Sequence, residues 1–265
     1  MNILLNDNEF ITFQKIIFNE VGIDLPDSKK LLVQSRLLKR LLHFNLKSYV
    51  EYLRLVQINH QERIEMINLI TTNETYFFRE INHFEYLKNS ILPKHQIGTN
   101  FRFWSAAASV GAEAYSIAML LDSYLSKWEI VGSDINTDVI KKARVGLYPE
   151  RWVDKIPLDL RKRYCLKGKG RNEGQFLVER RLIERMRFEV GNLLQYNNGV
   201  GMFDVIFLRN VLIYFDDDTK QLVIDNVLRN LKVGGYFFIS LTENLNMLDI
   251  SSLESVSTSV YKKIR

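Results

Sequence analysis

Residues 101–121 include the residues best suited to hold a nucleotide-like cofactor. A short apolar run is followed by small residues, and Gly111 then stands at the start of a helical pattern. Small side chains let a ligand approach the backbone closely, and glycine adopts dihedral angles that other residues avoid. Gly111 is alone, however, where the dinucleotide signature G-x-G-x-x-G has several glycines. By itself this segment indicates either a nucleotide-type site or an ordinary buried turn between a strand and a helix.

Polar side chains follow several predicted strands, where a cofactor would meet them. Asp134 ends the run EIVGSD, and an acidic residue at this place can accept hydrogen bonds from ribose hydroxyls. Alone, Asp134 would more often be a cap or turn residue, but together with the loop before Gly111 it favours a nucleoside-containing cofactor. Asn192, Asn210 and Glu243 follow later strands. Ligands of open α/β sheets lie beyond the carboxyl ends of the strands, so these side chains are candidates for the same site.

The elements that must position these residues are of two kinds. Residues 1–70 repeat apolar residues at helical spacing and predict four helices, with a cap for the second at residues 25–28, a third from Tyr49 and a fourth over residues 61–70. After residue 98, strands alternate with helices, which predicts a parallel sheet. The predicted strands are residues 101–104, 129–134, 186–190, 204–207 and 236–241, and the predicted helices run to Tyr124 and over residues 137–145 and 219–231.

Two further features concern the turns of the larger domain. Gly234 and Gly235 are expected to make the turn into the last strand. Residues 157–187 fit neither a long helix nor a strand of the main sheet, and their glycines predict a small β-hairpin insertion.

Composition excludes several classes of protein. With 265 residues, of which 46% are hydrophobic, the chain can bury one sizeable core and a small appendage. No apolar run approaches the roughly 20 residues that span a bilayer, so we expect a cytoplasmic protein without membrane insertion. Cys165 is the single cysteine, which excludes internal disulfides. The four histidines do not fall at metal-ligand spacing, and we expect no metal.

The net charge of +5 is unevenly distributed. Residues 28–50 contain six basic residues and no acidic ones, and basic residues also predominate over residues 141–187. In the first segment Arg36, Lys39 and Arg40 share a helix face by their spacing. Such a face indicates either contact with an anionic partner or simple solvation.

Six motifs occur in an order that carries a resemblance. They are TTNETYFFRE (71–80), WSAAASVGAEAYSIAMLL (104–121), SDIN (133–136), GNLL (191–194), RNVLIYFD (209–216) and LKVGGYFFIS (231–240). Together they resemble the chemotaxis receptor methyltransferase family, which uses S-adenosylmethionine to esterify receptor glutamates. The resemblance implies an α/β fold, a doubly wound, Rossmann-like class I methyltransferase domain with a small β-insertion, preceded by an all-α N-terminal domain. The implied boundaries are a helical domain over 1–70, a linker over 71–98 and a catalytic domain over 99–265, with the insertion at about 157–187.

The resemblance also implies roles for individual residues. Arg79 would orient the substrate carboxylate, Glu113 would meet the methionine portion of the cofactor, and Asp134 would meet its ribose. Tyr214 would line the methyl-transfer pocket and count with Arg79 as catalytic. The implied cofactor-binding set is Asn73, Thr75, Arg79, Glu113, Asp134, Asn192, Leu193, Asn210 and Val211, with Asn192 and Leu193 near the adenine and Asn210 and Val211 beside the sulfonium. S-adenosylhomocysteine is the implied product.

Partners follow from the same resemblance. Arg36, Lys39 and Arg40 would dock on the acidic methylation region of a helical receptor, although Leu42 stands where a further basic residue is expected. In some members of the family the β-insertion binds a C-terminal receptor peptide. No nucleic acid is expected, because Asn210 is followed by Val-Leu-Ile-Tyr and not by the Pro-Pro-Tyr of base methyltransferases.

The loop before the first helix of the larger domain departs from the family pattern. Val110, Ala112 and Ala114 replace a threonine, a glutamate and a proline of the usual motif. Two alternatives therefore stay open: methylation of another carboxylate, and a non-catalytic regulatory or scaffold protein that binds S-adenosylmethionine.

Overall fold

The computed structural model describes residues 3–196 and 198–265. Their contacts divide the chain into two compact units. The first unit consists of Met1–Thr72 and Tyr214–Thr219, and the second consists of Asn73–Ile213 and Lys220–Arg265. Within the described ranges, no helix is long and apolar enough to cross a bilayer.

The first unit is helical, as the apolar spacing predicts. Its helices are α1 (Asp7–Val21), α2 (Lys30–His43), α3 (Tyr49–Ile58) and α4 (His60–Ile70). Asn6 and Glu9 begin α1 with a reciprocal capping box, in which each side chain accepts a hydrogen bond from the other's backbone N–H. The predicted cap of α2 is wrong, because residues 27–29 form a 3₁₀ turn and no side chain caps the helix. Phe13, Leu37 and Tyr52 are fully buried between the helices.

The second unit contains the remaining elements, apart from the first residues of its last helix. The helices are α5 (Ile81–Tyr86), α6 (Ala112–Tyr124), α7 (Thr137–Val145), α8 (Leu158–Tyr164), α9 (Arg180–Ile183) and α10 (Asp217–Leu228). The strands are β1 (Phe101–Ser105), β2 (Trp128–Asp134), β3 (Leu147–Pro149), β4 (Cys165–Lys167), β5 (Gln175–Val178), β6 (Met186–Val190), β7 (Phe203–Phe207), β8 (Leu231–Phe238), β9 (Leu253–Ser257) and β10 (Val260–Lys263). All five strands predicted for the main sheet are present.

The main sheet has seven strands in the order β6-β2-β1-β7-β8-β10-β9. The first five are parallel to one another, and β10 and β9 close the sheet as an antiparallel hairpin. From β1 the chain moves outward through β2 to β6, and then continues on the other side of β1 with β7. The order therefore reverses between β1 and β7, and a crevice for a ligand is expected at the carboxyl ends of these two strands.

Three features of the second unit differ from the sequence prediction. The insertion is a three-stranded antiparallel sheet in the order β3-β5-β4 and begins at Leu147, earlier than the predicted hairpin. Gly234 and Gly235 lie inside β8 and not before it: Phe203 pairs with Leu231 and Val205 with Tyr236, so the residues between bulge out of the pairing. The hairpin of β9 and β10 is absent from the prediction.

Candidate functional site

The loop after β1 is fixed by hydrogen bonds to the ends of the neighbouring strands. Ala106 N donates to Phe207 O (2.8 Å), and Ala108 N donates to Ser133 O (2.9 Å). Gly111 then begins α6 with a φ of +87°, and a Cβ at this position would lie 3.0 Å from Ala143 Cβ. The glycine is therefore required both by its backbone conformation and by the space around it.

Asp134 connects this loop to the end of β2. Its carboxylate accepts hydrogen bonds from Ser109 N (2.8 Å) and Asn136 N (2.9 Å), and the residue is only 8% exposed. Burial raises the pKa of Asp134, although the backbone N–H groups stabilise its ionised form. A third backbone N–H group, that of Ile135, also bonds this carboxylate. The two oxygens together offer about four lone-pair sites, so one site is left for a ligand. Asp134 can thus hold the loop in place and, at the same time, accept a hydrogen bond from a ligand hydroxyl.

A buried cluster of charges lies where the strand order reverses. Arg209 follows β7 with a side chain only 1% exposed, and its guanidinium pairs with Glu113 Oε2 through Nη1 and with Glu80 Oε2 through Nη2, both at 3.0 Å. Nη2 also donates to the carbonyl of Arg79 (2.6 Å). Ser105 Oγ donates to Glu113 Oε1 (2.7 Å). One guanidinium therefore joins the segment before α5, the end of β7 and the first turn of α6.

Glu80 is the most strongly ionised carboxylate of this cluster. Burial alone would raise its pKa, but Arg209 and the hydrogen bonds from Ser240 Oγ (2.7 Å) and Leu241 N (3.0 Å) outweigh burial and lower the pKa to about 2. In Glu113 the balance is reversed, because burial raises its pKa in spite of Arg209 and Ser105.

Asn210 lies beside the cluster and is hydrogen-bonded to it through Glu80. Its side-chain amide donates to Ser240 Oγ (2.6 Å) and to Glu80 Oε1 (3.3 Å), and its backbone N–H donates to Glu243 Oε2 (3.1 Å). Glu243 also accepts from Leu212 N and Ser240 N, both at 2.8 Å. The φ of Asn210 is +59°, which places its backbone in the left-handed region. The polar residues predicted after β7 and β8 thus come together.

Asn73, Asn192 and Leu193 lie around the same edge of the sheet. Asn192 follows β6, where its side-chain oxygen accepts from Leu194 N (3.0 Å), and the carbonyl of Leu193 accepts from the Asn226 amide (3.2 Å). The carbonyl of Asn73 accepts from Ser109 Oγ (3.1 Å), so the segment before α5 reaches the loop after β1. Thr75 and Val211 are half-buried.

Arg79 is half-buried, and its contacts leave the guanidinium available. Nη1 donates to Glu74 O (3.0 Å), and the guanidinium lies over the ring of Tyr76 at 5.7 Å. Among residues 3–196 and 198–265, no carboxylate forms an ion pair with Arg79. An incoming carboxylate would meet a cation that is not already neutralised.

Four predicted residues belong to the first unit. Tyr214 groups there by its contacts, and its carbonyl accepts from Asp24 N (2.8 Å); its role in the methyl-transfer pocket stays a prediction. Arg36 Nη1 donates to the carbonyls of Leu69, Ile70 and Thr71 at the end of α4. Arg40 and Glu62 form two parallel hydrogen bonds, and Lys39 is exposed.

The sequence prediction does not include Glu80 and Arg209 in the site. Both occur in motifs that it uses, TTNETYFFRE and RNVLIYFD. A charged residue directly beside a buried apolar strand was the available signal, since such a charge requires a partner. The identity of that partner depends on the strand order.

The sequence matches two family models that together cover almost the whole chain. One is described as CheR methyltransferase, all-alpha domain, over residues 8–71, and the other as CheR methyltransferase, SAM binding domain, over residues 73–261. This chain belongs to the CheR methyltransferase family. The expected fold is thereby confirmed, with an all-α domain before a doubly wound, class I methyltransferase domain.

Curated relatives of the CheR family match over most of their length. The chemotaxis protein methyltransferase of Borreliella burgdorferi is 34% identical over 99% of this chain and 96% of its own length. The chemotaxis protein methyltransferase of Escherichia coli is 38% identical, with 92% of this chain and 87% of the relative covered. Chemotaxis protein methyltransferase 2 of Pseudomonas aeruginosa is also 38% identical, with 89% and 86% covered.

The residues at the carboxyl ends of β1, β2 and β7 fit S-adenosylmethionine. Asp134 can accept the ribose hydroxyls, and Glu113 offers a carboxylate to a cationic ammonium group. Ala112 and Ala114, two of the departures from the usual motif, are fully buried, so these changes alter packing behind the loop.

Proposed function

We propose that this protein transfers the methyl group of S-adenosylmethionine to glutamate side chains of chemotaxis receptors, giving glutamate methyl esters and S-adenosylhomocysteine. The observation that supports this most is the site at the strand reversal of a chain of the CheR family: Arg209 joins Glu113 to the Arg79 carbonyl and to Glu80, Glu80 accepts from Asn210, and Asp134 ends the neighbouring strand. A methyltransferase for another carboxylate is the alternative that the substrate assay below separates.

The proposed binding mode assigns one group of the cofactor to each part of the site. Glu113 pairs with the α-ammonium group, and Asp134 accepts hydrogen bonds from the ribose. Asn192 and Leu193 lie by the adenine, while Asn210 and Val211 border the sulfonium. Asn73 and Thr75 belong to the segment that closes over the cofactor, and the hydrogen bond from Ser109 Oγ to Asn73 O supports this arrangement.

The reaction requires no proton transfer to or from the protein. S-adenosylmethionine supplies an electrophilic methyl group. A glutamate with an ordinary pKa of about 4.3 is already ionised at neutral pH and needs no general base. The protein contributes by aligning the carboxylate with the methyl group and excluding water, and such positioning can be worth roughly 7 to 11 kcal/mol in favourable cases.

Arg79 is the residue proposed to orient the substrate carboxylate. A guanidinium can hold one carboxylate oxygen by a charge-assisted hydrogen bond while the other oxygen attacks. Its present contacts, a carbonyl and an aromatic ring, do not compete with that role. Full bidentate pairing would weaken the nucleophile, so one hydrogen bond is the expected arrangement.

Replacing Arg79 tests this function directly. We expect Arg79→Ala to lower the rate of base-labile methyl incorporation into receptor by roughly 10- to 150-fold, the loss expected for a hydrogen bond between charged groups. Calorimetry with S-adenosylhomocysteine should show a smaller change in affinity, and Arg79→Lys should recover part of the rate. A normal rate in Arg79→Ala would contradict the assignment.

Docking of the receptor on α2 is proposed to depend chiefly on Lys39. Arg36 and Arg40 hold the helical unit together, whereas Lys39 is exposed on the same face. The first unit thus offers a smaller basic surface than the sequence pattern alone indicates. Binding of a receptor tail peptide at the β-insertion stays a prediction.

A further inference from the structure

Arg209 joins two segments of the site that are far apart in the sequence. Residues 79 and 80 precede α5, and Arg209 follows β7, with a separation of 130 residues between Arg79 and Arg209. The guanidinium contacts both the carbonyl of Arg79 and the carboxylate of Glu80. The rings of Phe84 and Phe207 lie against it at 5.9 and 5.2 Å and shield these bonds from water. The backbone at Arg79 is therefore positioned by Arg209.

Each of the two segments contains a residue with a left-handed backbone. Glu80 has a φ of +58° and Asn210 a φ of +59°, in the left-handed region that side chains with a Cβ disfavour. Such conformations persist where the surroundings over-determine them, and they concentrate at functional sites. Glu80 receives hydrogen bonds from Ser240 and Leu241 besides Arg209, and it also accepts the Asn210 amide. The strain thus lies in the two segments that meet at Arg209.

The charges of the cluster are unequal, so a bound cation would change how they pair. When both carboxyl groups are ionised, Glu80 and Glu113 carry two negative charges against the one positive charge of Arg209. An ammonium group that binds Glu113 would supply the missing positive charge and weaken the attraction between Glu113 and Arg209. Arg209 would then pair more strongly with Glu80 and the carbonyl of Arg79. S-adenosylmethionine and S-adenosylhomocysteine both carry such an ammonium group.

We propose that Arg209 is a positioning residue that couples cofactor binding at Glu113 to the placement of Arg79, so that the substrate carboxylate is oriented once the cofactor is bound. This inference rests on the proposed function, because it assigns the ammonium group of the cofactor to Glu113. Binding free energies are coupled reciprocally, so a substrate carboxylate at Arg79 would also strengthen cofactor binding.

The test measures amide hydrogen exchange of the peptide over residues 73–86, with and without S-adenosylhomocysteine, in the full-length protein. We expect the ligand to slow exchange of this peptide by about tenfold in the wild type, within the usual range of coupling between sites. In Glu80→Gln and Arg209→Lys the ligand should slow it less than about twofold, while still binding. In both variants the rate constant kcat of receptor methylation should fall about tenfold with little change in the KM for receptor.

Asp204→Asn is the matched control. Asp204 lies in β7 near the opposite end of the strand from Arg209, accepts from Arg102 N (2.8 Å) and pairs with Lys232 Nζ (2.7 Å). It should respond to the ligand like the wild type, even if its thermal stability falls.

The outcomes separate the inference from the function it rests on. No protection of the peptide by S-adenosylhomocysteine in the wild type would overturn the coupling, whether or not the variants fold. Full protection in Glu80→Gln, or equal loss in Asp204→Asn, would reduce Arg209 to a purely structural role and would also overturn it. If the coupling is present but the wild type never methylates receptor, the proposed function fails and the coupling stands.

Discussion

At the scale of single residues, the role of a basic side chain depends on the groups that it contacts. Arg36, Lys39 and Arg40 form one basic face in the sequence, yet two of them have structural tasks. Arg36 caps the carbonyls at the end of α4, and Arg40 neutralises Glu62, which is only 3% exposed and also accepts from the Tyr52 hydroxyl. The Arg40 side chain is 22% exposed, so its removal should cost less than the about 3 to 5 kcal/mol of a fully buried ion pair, although it leaves Glu62 without its cation. Variants of Arg40 would therefore change the stability of the unit as well as any docking.

Lys39 allows a clean test of receptor docking. We expect Lys39→Glu to raise the KM for receptor by roughly two- to fivefold at low salt, with kcat unchanged, and the difference should shrink as salt screens the charges. Lys15→Glu, an equal charge change at an exposed position of α1, is the control. Identical salt-dependent kinetics in the two variants would mean that Lys39 is merely solvated.

The residues that sequence alone identified are those with local signals. Gly111 and Asp134 are recognisable because a loop of small residues and an acid at the end of a strand serve cofactors at fixed places in the chain. Glu80 and Arg209 are not, because their pairing across 128 intervening positions exists only once the segment before α5 lies beside the end of β7. A buried charge indicates that a partner is needed, but not which one.

At the scale of elements, the turn between β1 and α6 depends on Gly111. A Cβ there would lie 3.0 Å from Ala143 Cβ, 3.1 Å from Phe188 Cζ and 3.2 Å from Tyr115 Cε2. Gly98 has the same φ of +87°, but a Cβ there would meet no atom within 4 Å. The two glycines therefore share the backbone requirement and differ in crowding.

Alanine substitutions at Gly98 and Gly111 separate the cost of backbone strain from the cost of overpacking. We expect Gly98→Ala to lower the free energy of unfolding by about 1 to 2 kcal/mol, the cost of a left-handed residue with a Cβ. Gly111→Ala should lower the free energy of unfolding by about 1 to 3 kcal/mol more than Gly98→Ala does, because the neighbours of Gly111 are part of the core. Urea unfolding measures both, and calorimetry should show weaker S-adenosylhomocysteine binding in Gly111→Ala alone. Equal losses of stability would show that crowding at Gly111 is unimportant.

Elements with strong periodicity were predictable, and short or irregular ones were not. The five parallel strands and the helices α6, α7 and α10 follow from alternation of apolar runs, whereas α8 and α9 lie where a hairpin was predicted. Strand β3 has only three residues, too few for any periodicity to appear, so the insertion was predicted to begin too late. Gly234 and Gly235 are typical of a turn, and only the pairing of β8 with β7 makes them a bulge.

At the scale of the whole molecule, buried titratable groups set the dependence of stability on pH. His83 is 2% exposed between Phe207 and Phe238, and neither ring nitrogen has a hydrogen-bond partner among the described residues. Burial, and then the charge of Arg209, lowers the pKa of His83 to about 4, against the opposing effect of Glu80. As the pH falls, the unfolded chain binds a proton at this histidine first, so folding stability is lost between about pH 6.5 and pH 4.

Glu80 contributes to folding stability over a different pH range. Its pKa of about 2 in the folded protein lies below its ordinary value, so its stabilising effect is complete above about pH 4.5 and is lost as the pH falls towards 2. The loss between pH 6.5 and 4.5 should therefore come mainly from His83. The lowering of the His83 pKa to about 4 corresponds to at most about 3 kcal/mol of folding stability.

The His83→Leu variant tests this assignment. Its free energy of unfolding should depend less on pH between 6.5 and 4.5 than that of the wild type, and the flattening should approach about 2 kcal/mol across this range. His43→Gln, at an exposed histidine of α2, should leave the wild-type profile unchanged. An unaltered slope in His83→Leu would show that His83 does not control acid stability.

The proposed function requires methyl transfer to receptor glutamates. The most direct measurement incubates the purified protein with methyl-labelled S-adenosylmethionine and membranes that contain a chemotaxis receptor, followed by mass spectrometry of receptor peptides. We predict base-labile label on glutamate side chains, in amounts that match the S-adenosylhomocysteine formed. Cofactor binding without any methyl ester on receptor would contradict the proposed function.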